Sequence, residues 1–385
     1  MRRFEFTTAS RIIFGEGVIK EVASLASSMG KRLLVVSGIK GEHVGFLTED
    51  LRASGIASFL LEVVTEPTID SIQHGLQVAY ENSCDMVLSL GGGSAIDTGK
   101  VIAVLATNGG EILDYLEVIG KGRQIQNPGL PMIAVPTTAG TGAEVTRNAV
   151  IGSPEMGVKV SLRSHWILPK VALIDPELTY SLPSEVTAAT GLDALTQLIE
   201  PFASVSANPL TDAVCRDGIR WAAGCLRRAY ADGQDTEARR GMALASLFGG
   251  MALANARLGA VHGFAGVIGG KFPIPHGVIC ACLLPIVTEV NLRALQSRQP
   301  EAIAKLRYDE IGQLVTGNSK AKAEDGVQWL AELTRALNIP SLSVYGLTQA
   351  AITGLVEMAK QSSSMKGNPI LLTDLELEEI LERAL

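Results

Sequence analysis

Apolar runs of strand length alternate with amphipathic helical segments along the first half of the chain. Helical spacing of apolar positions occupies residues 18–28, 44–53 and 69–81. The apolar runs predict strands at residues 11–14, 32–37, 57–64, 85–90, 132–136, 158–161 and 171–175. Because strands in this repeated β-then-α pattern are apolar throughout, they predict a parallel sheet covered by helices on both faces.

Strand signals end near residue 178, and helical periodicity continues from there to the end of the chain. Ser181 and Pro183 are residues typical of a helix start, and residues 373–376 have the pattern of a capping box. We expect the helices to be interrupted at Asn208-Pro209, Pro273-Ile274-Pro275, Pro285 and Asn368-Pro369. The sequence therefore predicts an α/β domain over residues 1–178 and an all-α domain over residues 179–385, with ligands bound between them at the carboxyl ends of the strands.

The composition favours a two-domain protein and argues against binding to nucleic acids or membranes. The chain has 385 residues, 47% of them hydrophobic, which is enough for two cores. A formal net charge of −7 argues against a nucleic-acid partner or an anionic membrane surface. The five cysteines form no C-x-x-C pair, no export signal is evident, and no apolar run approaches 18 residues. We expect a soluble cytoplasmic protein with reduced thiols.

A glycine-rich stretch, Gly91-Gly92-Gly93-Ser94, joins the strand over 85–90 to a helical segment. Glycines at a strand–helix turn let the backbone approach a phosphate, and the helix N-terminus adds partial positive charge. A Walker A loop would need Gly at Ser94, and a G-x-G-x-x-G fingerprint would need Gly at Ile96. The stretch therefore matches neither of these two phosphate-binding motifs. It could still bind a diphosphate, or it could be a tight turn that holds no ligand.

The helical half contains a second group of candidate functional residues. Asp193 and Gln197 are four positions apart and share a helix face, while His262 and His276 flank a proline-containing segment. One aspartate and two histidines form a donor set suited to Zn²⁺ or Fe²⁺, with positions left for water or substrate. The alternative is that each histidine packs against or caps a helix end, because spacing alone does not make them converge.

Several long motifs occur in the order found in one enzyme family. They are Gly91 to Lys100 (GGGSAIDTGK), Pro136 to Thr146 (PTTAGTGAEVT), Thr187 to Leu195 (TAATGLDAL) and Pro275-His276-Gly277. In these motifs the chain resembles the iron-containing (group III) alcohol dehydrogenases from end to end. The resemblance implies an NAD(P)-dependent oxidoreductase that interconverts an alcohol and its aldehyde or ketone by hydride transfer. It also implies a divalent metal, Fe²⁺ or Zn²⁺, that polarises the carbonyl oxygen, and a homodimer.

The resemblance also implies roles for individual residues. In the first domain, a dinucleotide-binding domain by this resemblance, the diphosphate would lie on Gly92, Gly93 and Ser94. Further cofactor contacts would come from Asp97, Thr137, Thr138, Thr141 and Lys159. In the second domain the metal-ligand positions are Asp193, His262 and His276, and Gln197 stands at the fourth.

Three positions depart from the family pattern. Gln197 replaces the usual fourth ligand, a histidine, and a neutral amide oxygen is a weaker metal partner than imidazole. Gly266 replaces a second histidine near the reacting carbon. Gly38 stands where NAD-preferring members have an aspartate that repels a 2′-phosphate, so we expect NADP(H) to be accepted.

Three other functions stay open at this stage. A lyase or cyclase resembling dehydroquinate synthase would also hold NAD and a metal, but it would need several Lys and Arg side chains for a phosphorylated substrate. Few basic residues lie near the proposed ligands in sequence. A metal-independent reductase resembling maleylacetate reductase would explain Gln197. A binding protein that has lost catalysis would explain both Gln197 and Gly266.

Overall fold

The protein divides into two compact units in a computed structural model that describes residues 3–39 and 42–385. The α/β unit comprises Thr7–Thr138 and Gly142–Thr179. The helical unit comprises Tyr180–Leu385 together with Ala139–Thr141 and residues 3–6. The α/β unit therefore ends one residue beyond position 178, and the short segment Ala139–Thr141 belongs with the helices although it follows a strand.

A six-stranded parallel sheet forms the centre of the α/β unit. Its strands are β1 (Arg11–Phe14), β2 (Arg32–Ser37), β3 (Ala57–Glu62), β4 (Met86–Gly91), β5 (Met132–Pro136) and β8 (Val171–Ile174). They lie side by side in the order β3-β2-β4-β5-β8-β1. Neighbouring residues of β2 pack into different apolar layers, Leu34 and Val36 into one and Leu33 and Val35 into the other. Both faces of the sheet are thus covered, which confirms the predicted fold class.

One predicted strand does not join this sheet. Residues 158–161 fall in β7 (Val158–Arg163), which pairs antiparallel with β6 (Asn148–Ser153) in a separate hairpin. The strand β6 was not predicted, because its burial alternates and it contains no continuous apolar run. The hairpin is fixed to the helix that follows the glycine turn, since Asp97 Oδ2 accepts a 2.9 Å hydrogen bond from the Val150 backbone N–H.

Helices in the α/β unit follow the strands as the alternation predicts. Residues 18–28 begin as a 3₁₀ turn over Val18–Glu21 before becoming α-helical. The α-helices are α1 (Val22–Ser27), α2 (Glu42–Ala53), α3 (Ile69–Glu81), α4 (Gly93–Asn108) and the single turn α5 (Ile112–Tyr115). Thr68 caps α3 by accepting a 3.1 Å hydrogen bond from the Ser71 N–H, which fixes where that helix begins.

The helical unit has its own apolar core. Its helices are α6 (Ser184–Ala203), α7 (Pro209–Ala231), α8 (Thr236–Asn255), α9 (Ala260–Lys271), α10 (His276–Arg298), α11 (Ile303–Thr316), α12 (Ala323–Ala336), α13 (Ile352–Lys360) and α14 (Asp374–Glu382). The predicted capping box at Thr373 and Glu376 opens α14. The expected interruption at Pro285 is wrong, because Pro285 lies inside α10. The Ala281 carbonyl that Pro285 leaves without its helical donor lies 3.5 Å from the Thr334 hydroxyl, which donates to it.

Helix α10 is long and apolar enough to cross a membrane by length and composition. Within the described residues, 78% of its most apolar window is buried inside the protein. Its side chains, among them Ile279, Leu283 and Val290, belong to the core cluster of the helical unit. The apolar character of α10 is therefore that of a core helix, packed on α6, α9 and α12.

Candidate active site

The carboxyl ends of three adjacent strands meet at the glycine turn. The Gly38 N–H, just after β2, donates to the Leu90 carbonyl at 2.8 Å, and the Thr137 N–H, just after β5, donates to the Gly91 carbonyl at 3.0 Å. Gly92 is the N-cap residue of α4 and makes no side-chain cap. The first backbone N–H groups of α4, which include those of Gly93 and Ser94, therefore have no capping side chain and point out of the helix end.

Close approach of neighbouring atoms excludes a side chain at Gly91 but not at Gly92. Gly91 has φ +159°, and a Cβ there would lie 2.8 Å from the Ala95 Cβ and 3.0 Å from the Gly38 backbone. A Cβ on Gly92 would lie 3.4 Å from the Thr138 side chain, which is ordinary contact. The structure thus brings Gly38, Gly92 and Thr138 together in a cradle of bare backbone, which we call the glycine cradle.

Other predicted cofactor residues have partners within the protein. The Asp97 carboxylate accepts from the Val150 N–H and pairs with the buried Lys100 ammonium at 3.4 Å. The Lys159 ammonium pairs with Glu66 at 2.5 Å. Thr141 is grouped with the helical unit rather than with the glycine cradle. The structure therefore uses Asp97 to fasten the β6–β7 hairpin to α4, a role that sequence reasoning did not give it.

Three of the four predicted metal-ligand residues converge in the helical unit. The Asp193 Oδ1, on α6, lies 3.3 Å from the His262 Nε2, on α9, and 3.7 Å from the His276 Nε2, at the start of α10. Asp193 and His262 are buried, while the His276 side chain is 35% exposed. The site is thus built from three helices that pack on one another and opens on the side of His276.

A fourth side chain, absent from the sequence prediction, completes the cluster. The Cys280 Sγ lies 3.8 Å from the His262 Nε2 and 3.7 Å from the His276 Nε2. One donor atom each from Asp193, His262, His276 and Cys280 lies within 4.8 Å of all the others. Cys280 comes four positions after His276, so it projects from the same face of α10. That spacing was readable from the sequence.

Glu200 fixes the orientation of one histidine ring. Its Oε2 lies 2.7 Å from the His262 Nδ1, and its Oε1 accepts a 2.7 Å hydrogen bond from the Val261 N–H. When Nδ1 carries the proton, the His262 Nε2 directs its lone pair toward Asp193 and Cys280. Glu200 was also missed, although it lies seven positions after Asp193 and so on the same face of α6.

Gln197 lies beside the cluster and has a fixed amide orientation. Its Nε2 donates to the Gly140 carbonyl at 3.0 Å and to the Asp193 Oδ2 at 3.4 Å. Both partners are acceptors, so they require the amide nitrogen on that side. The Gln197 Oε1 and the Asp193 Oδ1 are buried without a hydrogen-bond partner, which leaves two acceptors in need of a cation or a donor.

The electrostatics of the cluster favour a positive charge at its centre. Burial raises the pKa of the Asp193 carboxyl, but the charges of His276 and His262 outweigh it and hold that pKa below its ordinary value. Burial lowers the pKa of the His262 imidazole, but the charges of Cys280, Asp193 and Glu200 raise it well above its usual value. Burial raises the pKa of the Cys280 thiol to about 12. A buried carboxylate that stays ionised beside an imidazole that keeps its proton favours positive charge at this place, which also fits a divalent cation.

Comparison with known proteins supports the family to which these features point. Residues 9–176 match the family model described as iron-containing alcohol dehydrogenase, and residues 187–385 match its C-terminal family. The chain is 38% identical to alcohol dehydrogenase 4 of Saccharomyces cerevisiae over 380 residues, 96% of each chain. It belongs to the iron-containing alcohol dehydrogenase family. The enzyme is an NAD-dependent oxidoreductase that interconverts alcohols and aldehydes, as the sequence predicts.

Solved structures of two similar proteins share the whole fold of this alcohol dehydrogenase. The crystal structure of a 1,3-propanediol oxidoreductase is 35% identical, with a TM-score of 0.91 over 100% of both chains. A sulfoacetaldehyde reductase from Bifidobacterium kashiwanohense, solved in complex with NAD⁺, is 27% identical, with a TM-score of 0.86 over 99% of this chain and 98% of the other. These relatives do not favour the lyase, the metal-independent reductase or the binding protein considered above.

Proposed function

We propose that Asp193, His262 and His276 hold the divalent metal of this dehydrogenase, and that the glycine cradle receives the diphosphate of its dinucleotide. The convergence of the two imidazole Nε2 atoms on the Asp193 Oδ1, at 3.3 and 3.7 Å, carries the proposal. A metal bound there supplies Lewis-acid polarisation of the substrate oxygen, and the nicotinamide supplies or accepts the hydride.

The residues of the chain prepare the metal site in two ways. Glu200 accepts the Nδ1 proton of His262, so the Nε2 lone pair of that ring is available to a cation. Gln197 donates to Asp193 Oδ2, so the carboxylate keeps Oδ1 directed at the two imidazoles. Asp193 and His262 are buried, and their charges and dipoles act with little screening by water.

The dinucleotide is held by backbone rather than by side-chain charge in this proposal. The N–H groups of Gly93 and Ser94 at the start of α4 would face the diphosphate, and Thr137 and Thr138, which follow β5, would border it. Asp97 and Lys159 support the cofactor region, Asp97 through its bond to Val150.

We propose that NADPH is accepted as well as NADH. Gly38 is exposed and adjoins Gly91 in the cradle, and it has no carboxylate to repel a 2′-phosphate. A Cβ at Gly38 would lie 3.3 Å from the Ala95 Cβ, so a side chain needs a shift of a few tenths of an ångström. Gly38→Asp should therefore move the kcat/KM ratio toward NADH. An unchanged ratio, or a strong preference of the wild type for NADH, would contradict the proposal.

Small alcohols and aldehydes are the substrates we propose, as the names of the relatives, alcohol dehydrogenase and 1,3-propanediol oxidoreductase, indicate for those proteins. We place the enzyme in the cytoplasm as a homo-oligomer, most simply a dimer, without nucleic-acid or membrane partners. The net charge of −7 supports the absence of such polyanionic partners.

A panel of short aldehydes and diols assayed with NADH and NADPH tests the function. Oxidation of the cofactor with stoichiometric formation of alcohol is expected for at least one short aldehyde, with loss of most turnover in His276→Ala. Cofactor binding without oxidation across the panel would favour the binding protein. Undiminished turnover in His276→Ala would favour the metal-independent reductase.

A further inference from the structure

We propose that Cys280 is a direct metal ligand, and that the set Asp193, His262, His276 and Cys280 makes this a zinc-selective member of an iron-containing family. The proposal rests on the proposed function of Asp193, His262 and His276 as metal ligands. It adds a fourth protein ligand and a metal preference. Cys280 takes over the coordination that Gln197, in place of the family histidine, does not supply.

Four distances in the cluster fit tetrahedral coordination, to which a substrate oxygen would add as a fifth ligand during the reaction. With ordinary zinc bond lengths, the edges of a tetrahedron are about 3.4 Å between nitrogen and oxygen and about 3.6 Å between nitrogen and sulfur. The Asp193 Oδ1 lies 3.3 and 3.7 Å from the two Nε2 atoms, and the Cys280 Sγ lies 3.7 and 3.8 Å from the same atoms. Ligands at right angles around an octahedral ion would bring nitrogen and oxygen within about 3.0 Å. The observed spacings are wider.

The orientation of Gln197 leaves the fourth position to another residue. Its amide nitrogen faces the Asp193 Oδ2 and the Gly140 carbonyl, so the group directed at the cluster's aspartate is a donor. That N–H cannot coordinate a cation, and the Gln197 Oε1 is a neutral amide oxygen, which is a weaker partner for the metal than a thiolate. Gln197 thus positions Asp193, while the Cys280 Sγ lies directly against both imidazoles.

The surroundings of Cys280 differ from those of the other buried cysteines. Cys215, Cys225 and Cys280 all belong to the apolar core of the helical unit, but the Cys280 Sγ also lies against two imidazole nitrogens. Among residues 3–39 and 42–385, the cluster with Asp193 and the two histidines is the one group of three or more metal-type side chains found this close together. A buried thiol with two imidazole nitrogens and a carboxylate as neighbours is a metal-ligand environment rather than ordinary core packing.

The donor chemistry determines the metal preference. A thiolate is a soft ligand, and a mixed S, N and O set in tetrahedral geometry suits Zn²⁺ better than Fe²⁺. Coordination replaces the Cys280 Sγ–H bond with an Sγ–metal bond and releases that proton to solvent. Without the thiolate, the remaining O and N donors should discriminate less between the two ions.

Cobalt substitution of the full chain tests the sulfur ligand directly. Apo protein loaded with Co²⁺ should show a near-ultraviolet thiolate-to-cobalt charge-transfer band, which requires a metal–sulfur bond. The band should vanish in Cys280→Ser and remain in the control Cys282→Ser, whose thiol lies two positions on and donates to the Ala384 carbonyl. Bound cobalt without the band in the wild type would overturn the proposal even if Cys280→Ser fails to fold.

Competition with a chelator measures the affinity of the site for Zn²⁺ and its selectivity for Zn²⁺ over Fe²⁺. Cys280→Ser should lose at least about 100-fold in Zn²⁺ affinity, the upper end of what loss of an outer-shell partner costs. The ratio of Zn²⁺ to Fe²⁺ affinity, measured anaerobically, should fall in Cys280→Ser but not in Cys282→Ser. Equal affinities and ratios in wild type and Cys280→Ser would overturn the Cys280 assignment and leave the Asp193, His262 and His276 site standing. Failure of the wild type to bind any divalent metal would instead overturn the proposed function.

Discussion

The two histidines of the metal cluster differ in how much of the fold depends on them. His262 is buried against Glu200, whereas His276 is partly exposed. His262→Ala and His276→Ala should each abolish metal retention and most turnover. Because His262→Ala removes the buried donor to Glu200, it should also lower the free energy of unfolding of metal-free protein by about 1–3 kcal/mol. His276→Ala should change that free energy little.

Metal content after dialysis, turnover and urea unfolding of the metal-free proteins measure these effects. Wild-type turnover and metal content in either variant would mean that the altered histidine is structural.

Gln197 stands where the family usually has a histidine. Replacing it with histidine tests how much this difference weakens metal binding. Gln197→His adds an imidazole one turn beyond Asp193, so it should increase metal retention during dialysis against graded chelator. The gain should be larger in a Cys280→Ser background than in the wild type, because there the added nitrogen fills a missing position. Equal retention with and without the added histidine in both backgrounds would show that position 197 does not reach the metal.

The residues that the sequence did not predict lie beside the proposed metal ligands. Asp193, His262 and His276 were selected by motif, and the structure brings them together. Cys280 was interpreted as an ordinary reduced thiol, because only packing of α9 and α10 shows that its sulfur faces both imidazoles. Glu200 had a readable helical spacing from Asp193, but its partner on α9 is remote in sequence.

At the scale of the elements, a substitution in the glycine cradle should change the affinity for the cofactor without changing the stability of the fold. A Cβ on Gly92 meets Thr138 at 3.4 Å without a clash. In the proposed binding mode it would stand where the diphosphate approaches the backbone. Gly92→Ala should therefore raise the Kd for NADH with little change in thermal midpoint. Gly45→Ala, on the exposed surface of α2 with open space around the new Cβ, is the matched control. Unchanged NADH affinity in Gly92→Ala would remove the cradle from the cofactor site.

Helices and strands could be predicted from the sequence where a single local pattern determines them. Buried parallel strands such as β2 and β5 appear at their predicted residues because continuous apolar runs mark them. The hairpin of β6 and β7 was not recognised, because pairing partners of a half-exposed strand are set by tertiary contacts such as Asp97 with Val150. Pro285 was expected to end a helix, but Thr334 supplies the Ala281 carbonyl with another donor.

At the scale of the whole molecule, a buried acid makes stability depend on pH. Burial raises the pKa of Glu144 to about 7, against an ordinary value of 4.5. Between these values the unfolded chain has lost a proton that the folded protein keeps, so stability falls as pH rises from about 4.5 to about 7. This shift in pKa corresponds to about 3 kcal/mol in the free energy of unfolding. That contribution is present below about pH 4.5 and is lost above pH 7.

Glu144→Gln carries no titrating group and should be more stable relative to wild type at pH 8 than at pH 5. Urea unfolding at the two pH values measures the difference, with the exposed Glu21→Gln as control. A difference between Glu144→Gln and wild type that does not change with pH would mean that Glu144 is not protonated in the folded protein.

The metal dependence of turnover tests the central claim most directly. The enzyme, purified without chelator, would be analysed for metal, stripped, and assayed for NADH oxidation with a short aldehyde before and after return of Zn²⁺ or Fe²⁺. We predict about one divalent ion per chain, loss of turnover on stripping and recovery on its return. Full turnover by the stripped, metal-free enzyme would contradict the account.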